Sequence, residues 1–153
     1  MAAHECRFRV YYEDTDAGGV VYHARYLGFA ERARAEALRA LGLPVGWLAR
    51  QKRRLFVVRT LRADYHAPLH LDEEMLVETE LDQIRGARLV LVQRIYRLDP
   101  DPSPGNGPRP QGDAPARHLA VTLEVTLACL DADSMKPARI PPYCLQKLAR
   151  LAP

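Results

Sequence analysis

Hydrophobic and polar positions fall into two regimes along this chain. Residues 6–12, Cys-Arg-Phe-Arg-Val-Tyr-Tyr, alternate apolar and polar side chains of β-forming type, which predicts a half-buried strand. Acids, a hydroxyl and two glycines at 13–19, Glu-Asp-Thr-Asp-Ala-Gly-Gly, end that strand in a loop. From 24 to 41 the period lengthens. Ala30, Ala33, Ala37, Leu38 and Leu41 share one helical face, while Glu31, Arg32, Arg34, Glu36 and Arg39 mostly lie elsewhere. Gly42 and then Pro44 supply the stop signal. A face this rich in alanine lets its partner approach closely. A second short helix is expected over 45–51, with Trp47 and Leu48 inward.

Strand patterns take over beyond residue 52. They cover 55–65 up to the Pro68 turn, 75–84, 87–98 and 118–130. In 75–84 Met75, Val77, Thr79 and Leu81 fall on one side and Leu76, Glu78, Glu80 and Asp82 on the other. Arg85-Gly86 marks a turn. In 118–130 Leu119, Val121, Leu123, Val125 and Leu127 share one parity, the clearest alternation in the chain. Residues 99–115 hold six of the twelve prolines and three of the nine glycines, which predicts a long, mobile hairpin loop reaching about 117. One strand, one long helix and four strands joined mainly by short turns predict a single α+β domain over 1–153. In it an antiparallel sheet covers one main helix. The pattern leaves strand order open.

Composition narrows the class. At 153 residues, 48% hydrophobic and 27% charged, the chain is long and apolar enough to bury a core without disulfides or structural metal. Its opening residues lack an apolar signal segment, and no stretch approaches the ~20 apolar residues of a membrane span. Three widely spaced cysteines, Cys6, Cys129 and Cys144, suit reduced thiols, so the expected compartment is the cytoplasm. A net charge of +3 does not mark a nucleic-acid binder, but it suits a phosphate-bearing small ligand if arginines cluster. His66 and His70 flank Pro68, and His4 with Cys6 is an isolated pair, so no closed zinc set is expected. Phosphate-binding and dinucleotide-binding glycine motifs are absent, as is a nucleophile elbow.

Residues 11–34, YYEDTDAGGVVYHARYLGFAERAR, strongly resemble the opening motif of the 4-hydroxybenzoyl-CoA thioesterase family of hot-dog proteins. The resemblance looks closest to the branch encoded beside the Tol-Pal envelope system of bacteria. It is extended by Phe56-Val57-Val58-Arg59, Asp64-Tyr65-His66-Ala67-Pro68, Arg85-Gly86 and Met135-Lys136-Pro137-Ala138-Arg139-Ile140-Pro141. It implies a five- or six-stranded antiparallel sheet wrapped around a long central helix. It also implies a homodimer or homotetramer with active sites at subunit interfaces, acyl-CoA as substrate and no cofactor.

Thioester hydrolysis needs a carboxylate to attack or activate water, a donor for the oxyanion, and a pocket for the acyl group. Loop chemistry alone leaves Asp14 and Asp16 open between turn or capping acids and catalytic groups. The resemblance implies that Asp16 is the catalytic carboxylate, with Asp14 structural and bonded to loop amides. It likewise implies that the backbone amide at His23 polarises the thioester carbonyl, its side chain helping through a hydrogen bond or an oriented water. Gly18 and Gly19 let the backbone approach a ligand, and amides near Tyr22 and His23 at the helix start are expected to be available to an oxyanion. Tyr12, Tyr26 and Glu31 are candidate pocket supports. Arg59, Arg85 and Arg88 are candidate ligands for the CoA phosphates, because a planar guanidinium suits both phosphates and pyrophosphates.

Two other classes share this fold. A hydroxyacyl-thioester dehydratase would use a histidine and an acid, for which His23 and Glu31 are the candidates, but the His-Phe-Pro stretch of the fatty-acid dehydratases is missing. A non-catalytic acyl-carrier or envelope-associated scaffold, with acyl carrier protein as partner, is the third reading; the intact acid-glycine loop argues against it.

Overall fold

The computed structural model describes residues 3–100 and 114–153. Five strands form one antiparallel sheet: β1 (His4–Arg9), β2 (Arg54–Tyr65), β3 (Glu74–Arg85), β4 (Arg88–Leu98) and β5 (Arg117–Asp131). Their spatial order is β1-β3-β4-β5-β2. β3, β4 and β5 form a meander. β2 pairs with β5, from Arg54 opposite Asp131 to Tyr65 opposite Val121, and is one edge of the sheet. The connection from β2 to β3 therefore crosses the end of β5 and β4, and its residues Leu69 and His70 bridge to Val21 and Val20.

The long helix α1 (Arg25–Ala40) packs on the inner face of the sheet. Ala30, Ala33, Ala37, Leu38 and Leu41 are all buried, as their periodicity predicts. They meet Met75, Val77, Leu89, Leu91, Ile95, Val121, Leu123 and Val125 in one core. The helix closes through a Schellman arrangement. The Gly42 amide donates to the Arg39 carbonyl (3.0 Å) and the Leu43 amide to the Leu38 carbonyl (2.8 Å). Gly42 takes φ of 78°, where a side chain would be strained. A shorter helix, α2 (Val45–Gln51), follows as expected.

Four features depart from the sequence reading. The first strand ends at Arg9, not residue 12. Val10 exchanges backbone hydrogen bonds with Asp72 and Glu73, and the chain then tightens into a 3-10 turn at Tyr12–Asp14. Leu119 is exposed and Ala120 buried, because a β-bulge in β5 between the partners of Ile95 and Tyr96 reverses the parity. A third helix, α3 (Pro142–Leu148), followed by a 3-10 turn at Ala149–Leu151, buries Cys144, Leu148 and Leu151 in the core. Finally, the core holds a polar cluster. The Gln93 amide donates to the Ala30 carbonyl (3.0 Å) and to Thr79 Oγ1 (2.9 Å), and its oxygen accepts from Arg34 (3.1 Å). Burial pushes the Arg34 guanidinium below its ordinary pKa, an effect opposed by Glu31. The cluster ties α1 to β3 and β4 at a fixed register.

The predicted loop at 99–117 falls largely outside the described residues. Its flanks pair as a hairpin, with Leu98 opposite Arg117. No helix among the described residues is long and apolar enough to cross a membrane.

Candidate active site

Two acids two residues apart have opposite surroundings. Asp14 is 3% exposed. One carboxylate oxygen accepts from Arg25 Nε at 2.6 Å and the other from the Tyr11 amide at 2.9 Å. Asp14 therefore bonds a loop amide and pins the loop to the first residue of α1. Asp16 is exposed, and no side-chain cation pairs with it among the described residues. Among the described residues its carboxylate accepts only the Gly18 amide, at 2.8 Å.

The loop between them is a small hairpin. Thr15 bridges Val21, and the Asp16 amide donates to the Val20 carbonyl at 2.9 Å. The two glycines have different causes. Gly19 sits at φ 79°, which a turn of this shape demands. A Cβ at Gly18 would stand 3.2 Å from Asp16 Oδ1, so the missing side chain leaves room for the carboxylate.

The amides beyond this hairpin are not equivalent. The expectation that Tyr22 offers a free amide fails, because its N–H donates to the Asp14 carbonyl at 3.0 Å. The His23 N–H donates to no group among the described residues. His23 lies two residues before the helix proper, where main-chain donors lack intrahelical partners and the dipole favours negative charge.

His23 also lines an open cleft of about 300 Å³, together with Val21, Tyr26, Tyr65, His66, Ala67 and Pro68. Tyr26 is buried in its wall. Its hydroxyl accepts from the Leu69 amide at 3.1 Å, and burial raises its pKa above the usual tyrosine value, so it stays protonated. Its ring meets Tyr65 edge-on at 5.7 Å. Tyr65 and His66 enter the sequence reading as part of a motif match with no site role, and Leu69 does not enter it. Only the tertiary contact between the β2–β3 connection and the loop brings them to His23.

Asp16, Gly18, Gly19 and Tyr22 do not line this cleft within one chain, and the other candidates lie apart from it too. Tyr12 is 82% exposed in its 3-10 turn, and Glu31 is exposed on α1. Arg59 is exposed where β2 bulges between Val58 and Thr60, and Arg85 and Arg88 face each other across the β3–β4 turn. None of the three forms an ion pair among the described residues, whereas Arg7, Arg9, Arg53, Arg54, Arg94 and Arg97 all do. Along β5 the arginine end, opposite Ala128, and the Tyr65 end, opposite Val121, are roughly 23 Å apart. No set of three or more metal-binding side chains converges among the described residues.

An antiparallel sheet wrapped around one helix, with an acid-glycine loop feeding that helix, defines the hot-dog class. The description of the thioesterase-like superfamily matches residues 10–148, and the chain belongs to that family. It is 42% identical over 133 residues to an acyl-CoA thioesterase of Haemophilus influenzae, covering 87% of this chain and 85% of the relative. To an acyl-CoA thioester hydrolase of Escherichia coli it is 41% identical, covering 87% and 86%. A crystal structure of a probable thioesterase from Bartonella henselae superposes with a TM-score of 0.73 at 33% identity, covering 91% of this chain and 99% of the other.

Proposed function

We propose that the chain hydrolyses acyl-CoA thioesters to free acid and CoA, with Asp16 as the reacting carboxylate and the His23 amide as oxyanion donor. The observation that carries this reading is the pairing of an exposed, cation-free carboxylate with a main-chain N–H that has no other partner, on one loop at the entrance to α1. The family and the thioesterase relatives support the reaction class. Asp16 either attacks the carbonyl carbon, giving a mixed anhydride that water then hydrolyses to the free acid, or takes a proton from the water that attacks; in both routes the thiolate of CoA leaves. The negative oxygen formed in that step meets the His23 amide and the positive end of α1. The His23 side chain orients water, Gly18 and Gly19 shape the loop, and Tyr26 forms the pocket wall, while Tyr12 and Glu31 would support a pocket only across a subunit contact. No cofactor enters this scheme.

The site is completed by a second copy of the chain. β2 is a twelve-residue strand with one unpaired edge, and Val58 and Tyr65 are each 48% exposed there. Such an edge favours pairing with another strand. Antiparallel pairing about the middle of β2 would set the arginine end of the partner's sheet against the tyrosine end of this one. Arg59, Arg85 and Arg88 would then hold CoA phosphates near a cleft that lies far from them within one chain. The expected assembly is a homodimer or homotetramer of single-domain chains spanning 1–153, working in the cytoplasm. The motif matches support the Tol-Pal-associated branch, with acyl carrier protein as a further partner.

The test is a panel of short, long and aromatic acyl-CoAs with detection of free thiol. Asp16→Ala is expected to lower turnover at least ~100-fold. Wild-type turnover in that variant would remove Asp16 from the mechanism. An enoyl product without thiol release would identify a dehydratase. Saturable binding of acyl carrier protein without any turnover would identify a scaffold. Single-turnover incorporation of oxygen-18 into Asp16 would distinguish direct attack from water activation.

A further inference from the structure

The hydroxyl of Tyr65 donates to the His23 carbonyl at 2.7 Å, and this bond has no role in the scheme above. His23 lies outside the regular helix, so no helical ladder sets its orientation. The residue before it is anchored at both ends. The Tyr22 amide donates to the Asp14 carbonyl (3.0 Å), and its carbonyl accepts from the Arg25 amide (2.8 Å). The Ala24 carbonyl accepts from the Leu27 amide (3.2 Å), and the His23 carbonyl between these turn bonds is held by the Tyr65 hydroxyl. The His23 N–H thus sits between two anchors, one supplied by its own loop and one by a strand at the sheet edge.

That second anchor is rigid. Tyr65 is the last residue of β2 and pairs with Val121 in β5. Its ring leans on Tyr26, whose hydroxyl is itself fixed by the Leu69 amide. Phenylalanine would keep this ring packing and lose only the oxygen, leaving the His23 carbonyl to water. The His23 N–H lies in the Tyr22–His23 peptide plane, whose carbonyl the Arg25 amide holds, so hydrating the His23 carbonyl loosens the next peptide plane and, through φ and ψ of residue 23, the turn that presents the N–H.

We propose that Tyr65 is a positioning residue for thioester hydrolysis. By holding the His23 carbonyl, it sets the direction in which the His23 amide meets the developing oxyanion. The inference rests on the assignment of that amide made above. An oxyanion donor acts by being aimed in advance at the place where charge develops, and a misplacement of 1 Å can cost about 100-fold in rate. The contact is made mainly in the transition state, so its loss should appear in turnover more than in substrate binding.

The experiment compares wild type, Tyr65→Phe and Asp16→Asn under steady-state conditions with one acyl-CoA, together with thermal unfolding of each. Tyr65→Phe is expected to lower kcat roughly 10- to 100-fold, with KM within about twofold of wild type and an unchanged Tm. Wild-type kcat in Tyr65→Phe overturns the proposal, whatever Asp16→Asn does. So does a loss of Tm accompanied by a rise in KM with kcat retained, which would make Tyr65 a packing residue. Full turnover in Asp16→Asn overturns the assignment of the carboxylate instead, so the two failures are read from different variants.

Discussion

The two ends of α1 solve opposite problems. At the C-terminal end the Ala37, Leu38 and Arg39 carbonyls accept from the amides of Leu41, Gly42 and Leu43, and Leu38, Leu41 and Leu43 are buried together. At the N-terminal end the His23 amide has no partner among the described residues and Asp16 is exposed, while Asp14, Arg25 and Tyr65 hold the surrounding loop still. The first end is arranged for stability. The second keeps a few groups unsatisfied and fixes their neighbours, as a site must if it is to meet charge that appears only during reaction. The contrast is sharpest between Asp14 and Asp16, identical side chains on one loop, one buried and paired and the other exposed, as its proposed catalytic role requires.

Three substitutions test this contrast. The largest effect is expected from Leu43→Ala at the closed end, about 2–5 kcal/mol of stability by urea denaturation, because the site is fully buried. Turnover per folded molecule should hold, and a fall in kcat at temperatures where the protein stays folded would break the division between the two ends. Asp14→Ala should cost about 1–3 kcal/mol, since it strips both Arg25 and the Tyr11 amide of their acceptor. Unlike Leu43→Ala, it should also lower kcat by loosening the loop; an unaltered rate would show that Asp14 does not hold the site. Arg88→Ala should be the mildest, shifting stability by no more than about 0.5 kcal/mol. It should raise KM for acyl-CoA at low salt, with the difference shrinking as salt is added. A KM equal to wild type at low ionic strength would remove Arg88 from the phosphate site.

Much of the fold was legible because its elements are strongly periodic. The alanine-rich face of α1 and the parity of Met75, Val77, Thr79 and Leu81 both point to the core they occupy. Leu119 misleads, since a single extra residue in β5 flips the parity and nothing local announces it. α3 carried a usable signal in Pro141-Pro142 followed by Cys144, Leu148 and Leu151, with Pro142 in the first turn. Strand order was not legible, because β2 pairs across the sheet with β5 rather than with its sequence neighbour. In the site, the acid-glycine loop is a contiguous motif and could be read directly. That the Tyr22 amide is taken while the His23 amide is not could not be, because it depends on the Asp14 carbonyl folding back onto Tyr22. Tyr65 reaches His23 from another element, so only tertiary structure reveals that contact.

The remote pairing of β2 also bears on how the chain comes into being. During synthesis β2 emerges well before β5, the strand that will hold it, and spends that interval with both hydrogen-bonding edges open. The nascent chain is therefore most prone to stick to its neighbours before residue 131 has left the ribosome, and the strand that fixes the tyrosine at the end of β2 in its final place is among the last to arrive.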